Sequence, residues 1–150
     1  MTAAAPAGGI RARTAEPGRD LTRPLAPEPL PVPLYDNHTH LEFEDGVDQL
    51  DPLESLDRAA EVGVRGVVQV GTDLETSHWG AQLAASDPRV LAAVALHPNE
   101  APKLAAQGLL DEHLMGIAAL AAQPRVRAVG ETGLDFFRTG EDGRSAQHAS

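Results

Sequence analysis

Val64-Arg65-Gly66-Val67-Val68-Gln69-Val70-Gly71-Thr72-Asp73-Leu74-Glu75 decides the fold of this chain. Val64–Val70 is a short β-branched run, apolar on both faces apart from Arg65 and Gln69. That is the pattern of a parallel strand covered from both sides. Thr72-Asp73-Leu74-Glu75 follows at once and has the form of a capping box, a hydroxyl three residues ahead of a carboxylate. The helix it starts must end before Pro88, because the residue ahead of a proline is pushed out of helical geometry. A buried strand passing directly into a capped helix is one βα unit, and repeated βα units build parallel sheets.

The same alternation extends in both directions. Upstream, Leu34–His40 reads as a strand. Asp51-Pro52-Leu53-Glu54 then reads as a helix start, with Asp51 as cap, Pro52 at the first helical position and Glu54 as the capping-box carboxylate. Leu53, Leu56 and Ala60 give that helix an apolar face, and Gly63 stops it. Downstream, Val90–Leu96 is another buried strand. Leu114, Ile117, Ala118 and Ala121 mark a third helix closed by Pro124, Arg125–Gly130 is a fourth strand, and residues 141–150 begin a fourth helix.

A parallel sheet of this kind is either open and doubly wound or closed into a barrel, and periodicity alone does not choose. The polar residues do. His38 and His40, Gly71-Thr72-Asp73, His97-Pro98 and Glu131-Thr132 all fall at C-terminal strand ends. A (β/α)₈ barrel collects its active site from many strands at that face, whereas an open sheet concentrates contacts at one switch point. The expected fold is therefore an α/β, TIM-type (β/α)₈ barrel. A complete one takes roughly 250 residues, so residues 34–150 correspond to about the first four βα units.

Residues 1–33 differ in character. Pro24, Pro27, Pro29, Pro31 and Pro33 stand at close spacing, and Ala, Gly and Arg fill much of the rest. Such a segment cannot bury a core and reads as a disordered or polyproline-like leader. It has no apolar stretch long enough for a secretory signal, and acids and prolines interrupt any amphipathic transit helix. The formal net charge is −10. The leader holds one more base than acids, so the acidic excess falls on residues 34–150. That argues against a surface that coats nucleic acid, though bound cations would reverse the field locally. There is no cysteine, so disulfides, thiolate metal sites and thiol nucleophiles are excluded, which fits a reducing cytoplasm. Aromatic residues are too few for a base-stacking platform, and no apolar run reaches membrane-spanning length.

The chemistry-bearing residues begin with Asp36-Asn37-His38-Thr39-His40-Leu41. Residues two apart on a strand point the same way, so His38 and His40 project side by side as a two-nitrogen clamp for a divalent metal. Alone, His-x-His is a weak signal. Glu131, in Val129-Gly130-Glu131-Thr132-Gly133-Leu134-Asp135, strengthens it by offering a carboxylate to complete a two-His, one-carboxylate site. His78, His113 and His148 lie in helical segments and read as structural or exposed. Asp73 reads as a helix N-terminal charge, and Asp135 as a loop-stabilising or metal-supporting acid. Phe136-Phe137 reads as packing beneath the loop, with contact to a base as the alternative.

His38-Thr39-His40-Leu41 after Asp36, Val70-Gly71-Thr72, Leu96-His97-Pro98 and Gly130-Glu131-Thr132-Gly133-Leu134-Asp135 occur in the order and approximate spacing of the TatD family of metal-dependent deoxyribonucleases. Residues 34–150 resemble the N-terminal half of that family's barrel. The resemblance implies that His38 and His40 are metal ligands and that Glu131 is a metal-bridging, catalytic carboxylate. It implies one to three divalent ions (Mg²⁺, Mn²⁺ or Zn²⁺) in the full-length site, and places His97 in the substrate cleft. Arg138 suits a substrate phosphate by its guanidinium geometry. Further histidines and an aspartate of the family pattern belong to later strands, outside these residues.

The function expected is hydrolysis of phosphodiester bonds in DNA or another nucleic acid by a cytoplasmic enzyme, monomeric at full length. Two alternatives remain at this level. One is an amidohydrolase acting on a small cyclic amide, which a carboxylated lysine among the later ligands would support. The other is a non-catalytic fragment with two open sheet edges. A dinucleotide-binding module is disfavoured because no Gly-x-Gly-x-x-Gly follows any strand.

Overall fold

The computed structural model describes residues 11–12, 18, 20, 22–44 and 50–150. Along them run β1 (Arg11–Ala12), β2 (Leu34–Thr39), β3 (Phe43–Glu44), α1 (Pro52–Glu61), β4 (Val64–Val70), α2 (Leu74–Ser86) and β5 (Val90–Val94). Then come α3 (Ala101–Ala106), α4 (Leu110–Ala121), β6 (Val126–Val129), a 3-10 turn (Glu141–Gly143) and α5 (Arg144–Ala149). β2, β4, β5 and β6 form one parallel sheet in that order. Each crossover moves the chain one strand further in the same direction. A doubly wound sheet would reverse at a switch point; this order is that of a barrel, of which these are the first four strands.

Local chemistry sets the element ends. Asp51 accepts the Leu53 N–H at 2.8 Å, Pro52 opens α1, and Gly63 follows its end at φ 100°. Glu54 does not close a capping box; it lies 3.5 Å from Arg58, one turn along the helix. At α2 the cap is Asp73 rather than Thr72. Asp73 accepts the Thr76 N–H at 2.9 Å, and the Thr76 hydroxyl accepts the N–H groups of Thr72 and Asp73. A carboxylate at the cap and a hydroxyl at the third position outcompete the reverse arrangement, because Glu75 is one residue too early to reach back. α3 is a six-residue helix that periodicity leaves unassigned.

The core lies between the sheet and its helix layer. Trp79 and Leu83 of α2, Val90 and Val94 of β5, and Ile117 and Leu120 of α4 are buried together. Each such side chain contributes roughly 1.5–3 kcal/mol relative to exposure. The outer strands differ: β2 is largely exposed along its length, and Val129 of β6 is open to solvent.

Of the leader, Arg11–Ala12 form a two-residue parallel pair with Phe43–Glu44. Residues 22–33 carry no helix or strand and are largely exposed. For residues 1–10, 13–17, 19 and 21 the expectation of disorder or polyproline falls outside the described residues. No described helix is long and apolar enough to cross a membrane.

Arg89 ties the helix layer to the sheet at the N-terminal end of β5. Its guanidinium lies 2.7 Å from Asp87 and 2.6 Å from Asp57. The Arg89 side-chain hydrogen bonds hold the Asp87 carboxyl below the usual carboxylate range, against the opposing pull of burial. A carboxyl depressed in the folded state takes its proton first in the unfolded chain. Its stabilisation is therefore present above the unfolded value of about 4 and is lost as pH falls through the folded one. Urea midpoints are expected to hold steady from pH 7 to about 5 and to decline below about 4. Arg89→Met should flatten that decline; an unchanged decline would show that this pair does not contribute to it.

Candidate metal centre

The C-terminal edge of the sheet is level. Thr39 pairs with Gln69, Val70 with Ala93, and Val94 with Val129. The loops that follow are stitched together by backbone hydrogen bonds. Gly71 N–H donates to Ala93 O at 2.9 Å, His97 N–H to Thr72 O at 2.7 Å, and Gly130 N–H to Val94 O at 3.1 Å. Gly71 has to be glycine, since a Cβ there would sit 2.4 Å from Ser77 Oγ. Ser77 uses that closeness: its hydroxyl meets both the N–H and the carbonyl of Ala95.

His38 and His40 leave β2 at this rim. The β2–β4 pairing shifts register between Asp36 and Thr39, and Asp36 Oδ1 accepts the His38 N–H at 3.0 Å. The two Nε2 atoms stand 3.3 Å apart. Glu131, just past β6, brings Oε2 to 3.3 Å from His38 Nε2 and 3.8 Å from His40 Nε2. Two strand-edge histidines thus meet a carboxylate from the far side of the sheet. Among the described residues this is the one group of three or more such side chains with metal-binding spacing.

The triangle fits a first-row ion. Sides of 3.3, 3.3 and 3.8 Å enclose a point about 2.0 Å from all three atoms, the usual distance of zinc from imidazole nitrogen or carboxylate oxygen.

His97 faces the same carboxylate, with Nε2 3.5 Å from Glu131 Oε1. Its Nδ1 accepts the Asn99 N–H at 3.1 Å. A backbone N–H can only donate, so Nδ1 of the neutral ring holds a lone pair and Nε2 carries the proton. His97 thus presents a donor to the cleft.

Arg138 and Asp135 form a local unit. Asp135 accepts the Arg138 N–H at 3.0 Å and lies 2.9 Å from its Nη1. Those contacts, the guanidinium bond first, hold the Asp135 carboxyl below its ordinary range. Asp135 organises the loop and is not among the converging groups. The Arg138 side chain stays 66% exposed. Phe137 does not pack beneath the loop: it is 93% exposed, with the Arg138 guanidinium 5.7 Å from its ring centre. Phe136 lies under Arg144 instead. His78 and His148 are exposed on α2 and α5, and His113 is half-buried on α4.

Two residues of this region escape sequence reasoning. Buried Gln147 accepts the Asp135 N–H at 3.0 Å and donates to Pro98 O and Thr139 Oγ1. It joins the loop after Glu131 to the loop that carries His97. Glu42, with no exposed surface, sits behind His40: its Oε1 is 3.3 Å from His40 Nδ1, and its Oε2 accepts from Gln69 Nε2. An acid two residues beyond the second histidine was the available signal.

A parallel sheet wound in one direction, gathering imidazoles and a carboxylate on its C-terminal rim, defines the class of (β/α)-barrel proteins that assemble their functional groups on that face. The chain belongs to the TatD family: the family model described as TatD related DNase matches residues 35–150. A Mycobacterium tuberculosis protein named "Uncharacterized metal-dependent hydrolase TatD" is 44% identical over 117 residues, 77% of this chain and 42% of that protein. A Citrobacter rodentium protein named "3'-5' ssDNA/RNA exonuclease TatD" is 34% identical over 99 residues, 66% of this chain and 36% of its own length. A Bacillus subtilis protein named "Uncharacterized metal-dependent hydrolase YabD" is 32% identical over 103 residues, 69% of this chain and 38% of that protein. The chain thus spans well under half the length of these relatives.

Gln147→Leu should leave the Asp135 N–H and the Pro98 carbonyl unpaired. Each buried orphan costs about 1–3 kcal/mol, so the variant is expected to unfold at clearly lower urea. Hydrogen exchange should rise first at Asp135. Unchanged protection there would show that Gln147 does not hold the two loops.

Proposed function

We propose that this chain forms the first half of a metal-dependent phosphodiesterase acting on single-stranded DNA or RNA. The observation that supports it most is the convergence of His38, His40 and Glu131 at the distances given above. The relatives named as single-strand exonucleases support the substrate class. Two imidazoles with one carboxylate suit Zn²⁺ better than Mg²⁺, which prefers all-oxygen ligands, and Mn²⁺ shares much of that oxygen preference. Any ligands from later strands, and a count of one to three ions, belong to the same proposal.

Each residue has a definable task. His38 and His40 offer Nε2 lone pairs, and Glu131 offers Oε2. A divalent ion, if bound, would supply an activated water and neutralise charge on the phosphate. Glu131 Oε1 lies on the His97 side of the cleft, where it would hold a proton. His97 donates its Nε2–H to a phosphate oxygen, which is a substrate-binding rather than a ligating role. Arg138, two-thirds exposed on the neighbouring loop, offers a guanidinium to a second phosphate. The negative net charge is no barrier, since the cation sets the sign of the field inside the cleft. A closed barrel has no free sheet edge, which supports a monomer, and the absence of cysteine fits a cytoplasmic location.

The test uses the full-length product of the gene that encodes these residues, loaded with Mn²⁺ or Zn²⁺. Labelled single-stranded DNA and RNA oligonucleotides serve as substrates. Nucleotide release should stop with a chelator and fall about 100-fold or more in His40→Ala and Glu131→Ala. His97→Ala should mainly raise KM. Cleavage indifferent to metal, or to both ligand substitutions, would end the proposal.

A further inference from the structure

We propose that Glu42 is the positioning residue of the metal centre, and that a hydrogen-bond relay through Gln69 fixes which nitrogen of His40 carries the proton. The relay begins at a donor with only one polarity. The Leu41 backbone N–H donates to the Gln69 side-chain oxygen at 2.8 Å. This fixes the orientation of the Gln69 amide, whose NH₂ must face the other way and donates to Glu42 Oε2. Glu42 can only accept there. Its second oxygen lies 3.3 Å from His40 Nδ1 and accepts the Nδ1–H. The proton is held on Nδ1, and Nε2 faces His38 and Glu131 with its lone pair bare. The ring is both oriented and made a better ligand, as a carboxylate behind a metal-bound imidazole does.

The surroundings are built for this relay. Glu42 has no exposed surface, so water does not compete for its oxygens. Gln69 is equally buried on β4, and Gly80 of α2 makes room for it: a Cβ there would stand 3.0 Å from Gln69 Cγ. His97 meets the opposite arrangement, with a backbone donor behind Nδ1 and the proton on Nε2. Two imidazoles on one rim are thus set in opposite tautomers by groups outside the cleft.

The inference rests on the metal reading of His38, His40 and Glu131 only for its effect on affinity; the tautomer itself is measurable without metal. Glu42→Gln is nearly isosteric but reverses the relay. The Gln69 NH₂ would claim the carbonyl oxygen of the substituted side chain. The substituted side chain's own NH₂ would then face His40 Nδ1, and the proton would move to Nε2. Adding Gln69→Glu should reverse it again. The carboxylate introduced on β4 accepts both the Leu41 N–H and the amide NH₂ at position 42, and the amide carbonyl at position 42 returns to the Nδ1–H.

The experiment is ¹⁵N–¹H correlation of the imidazoles in the metal-free full-length protein near pH 8, with Zn²⁺ titration by calorimetry on the same samples. His40 should be the Nδ1–H tautomer in the parent, Nε2–H in Glu42→Gln, and Nδ1–H again in the double variant. Zn²⁺ affinity should fall about 10–100-fold in the single variant and recover in the double. An Nε2–H tautomer in the parent overturns the proposal without reference to any variant. So does an unchanged tautomer in Glu42→Gln, or failure of the double variant to restore it. Parent protein that shows the Nδ1–H tautomer yet binds no Zn²⁺ would overturn the metal reading and leave the relay standing.

Discussion

The level C-terminal edge of the parallel sheet is the constraint on which the rest depends. β2, β4, β5 and β6 end at one height, and each following loop is stitched to its neighbour through backbone groups. Side chains alternate faces along a strand, so a slip of one residue would turn His38 and His40 away from Glu131. Largely exposed β2 is held in place by its ladder to β4 and by the Thr39 hydroxyl, which donates to Val68 O at 3.0 Å, whereas the central strand β5 is held by the core. Valines of β5 and the α2 side chains Trp79 and Leu83 are buried against one another, and a slipped strand would expose them.

Above that edge, the cleft gains its chemistry from groups behind it. His97 and His40 are the same residue type on one rim, yet they face the cleft with opposite polarity. Asn99 N–H makes one a donor, and the Gln69–Glu42 relay makes the other an acceptor. Gln147 and Ser77 act similarly on the backbone, tying the loops of Glu131 and His97 to the helix layer. None of these partners needs to touch a substrate.

Much of this was legible in the chain because the signals are local. The run Val64–Val70, the cap at Asp51 and the stop at Gly63 each act over a few residues, and β4 and α1 form where they indicate. The His-x-His pair and the glycine-flanked Glu131 announced themselves by type and spacing. Local reasoning failed by one residue at Asp73, where the Thr76 hydroxyl rather than Glu75 completes the box. It passed over α3, which is too short to show a period. Phe137 looked like a packing residue by its type, and only the loop path shows it facing solvent.

The sequence by itself determined the βα repeat, the parallel sheet, and which residues at strand ends could carry chemistry, because periodicity and turn chemistry are read over a few positions. The strand-end residues also pointed to a partial barrel, but tertiary structure alone showed that strand order follows chain order and brings Glu131 to His38 across three intervening crossovers. It also decided that Glu42 and Gln147 matter. Their partners Gln69 and Pro98 lie 27 and 49 residues away, and no local pattern encodes a hydrogen bond between segments that only the packed sheet and helices bring together.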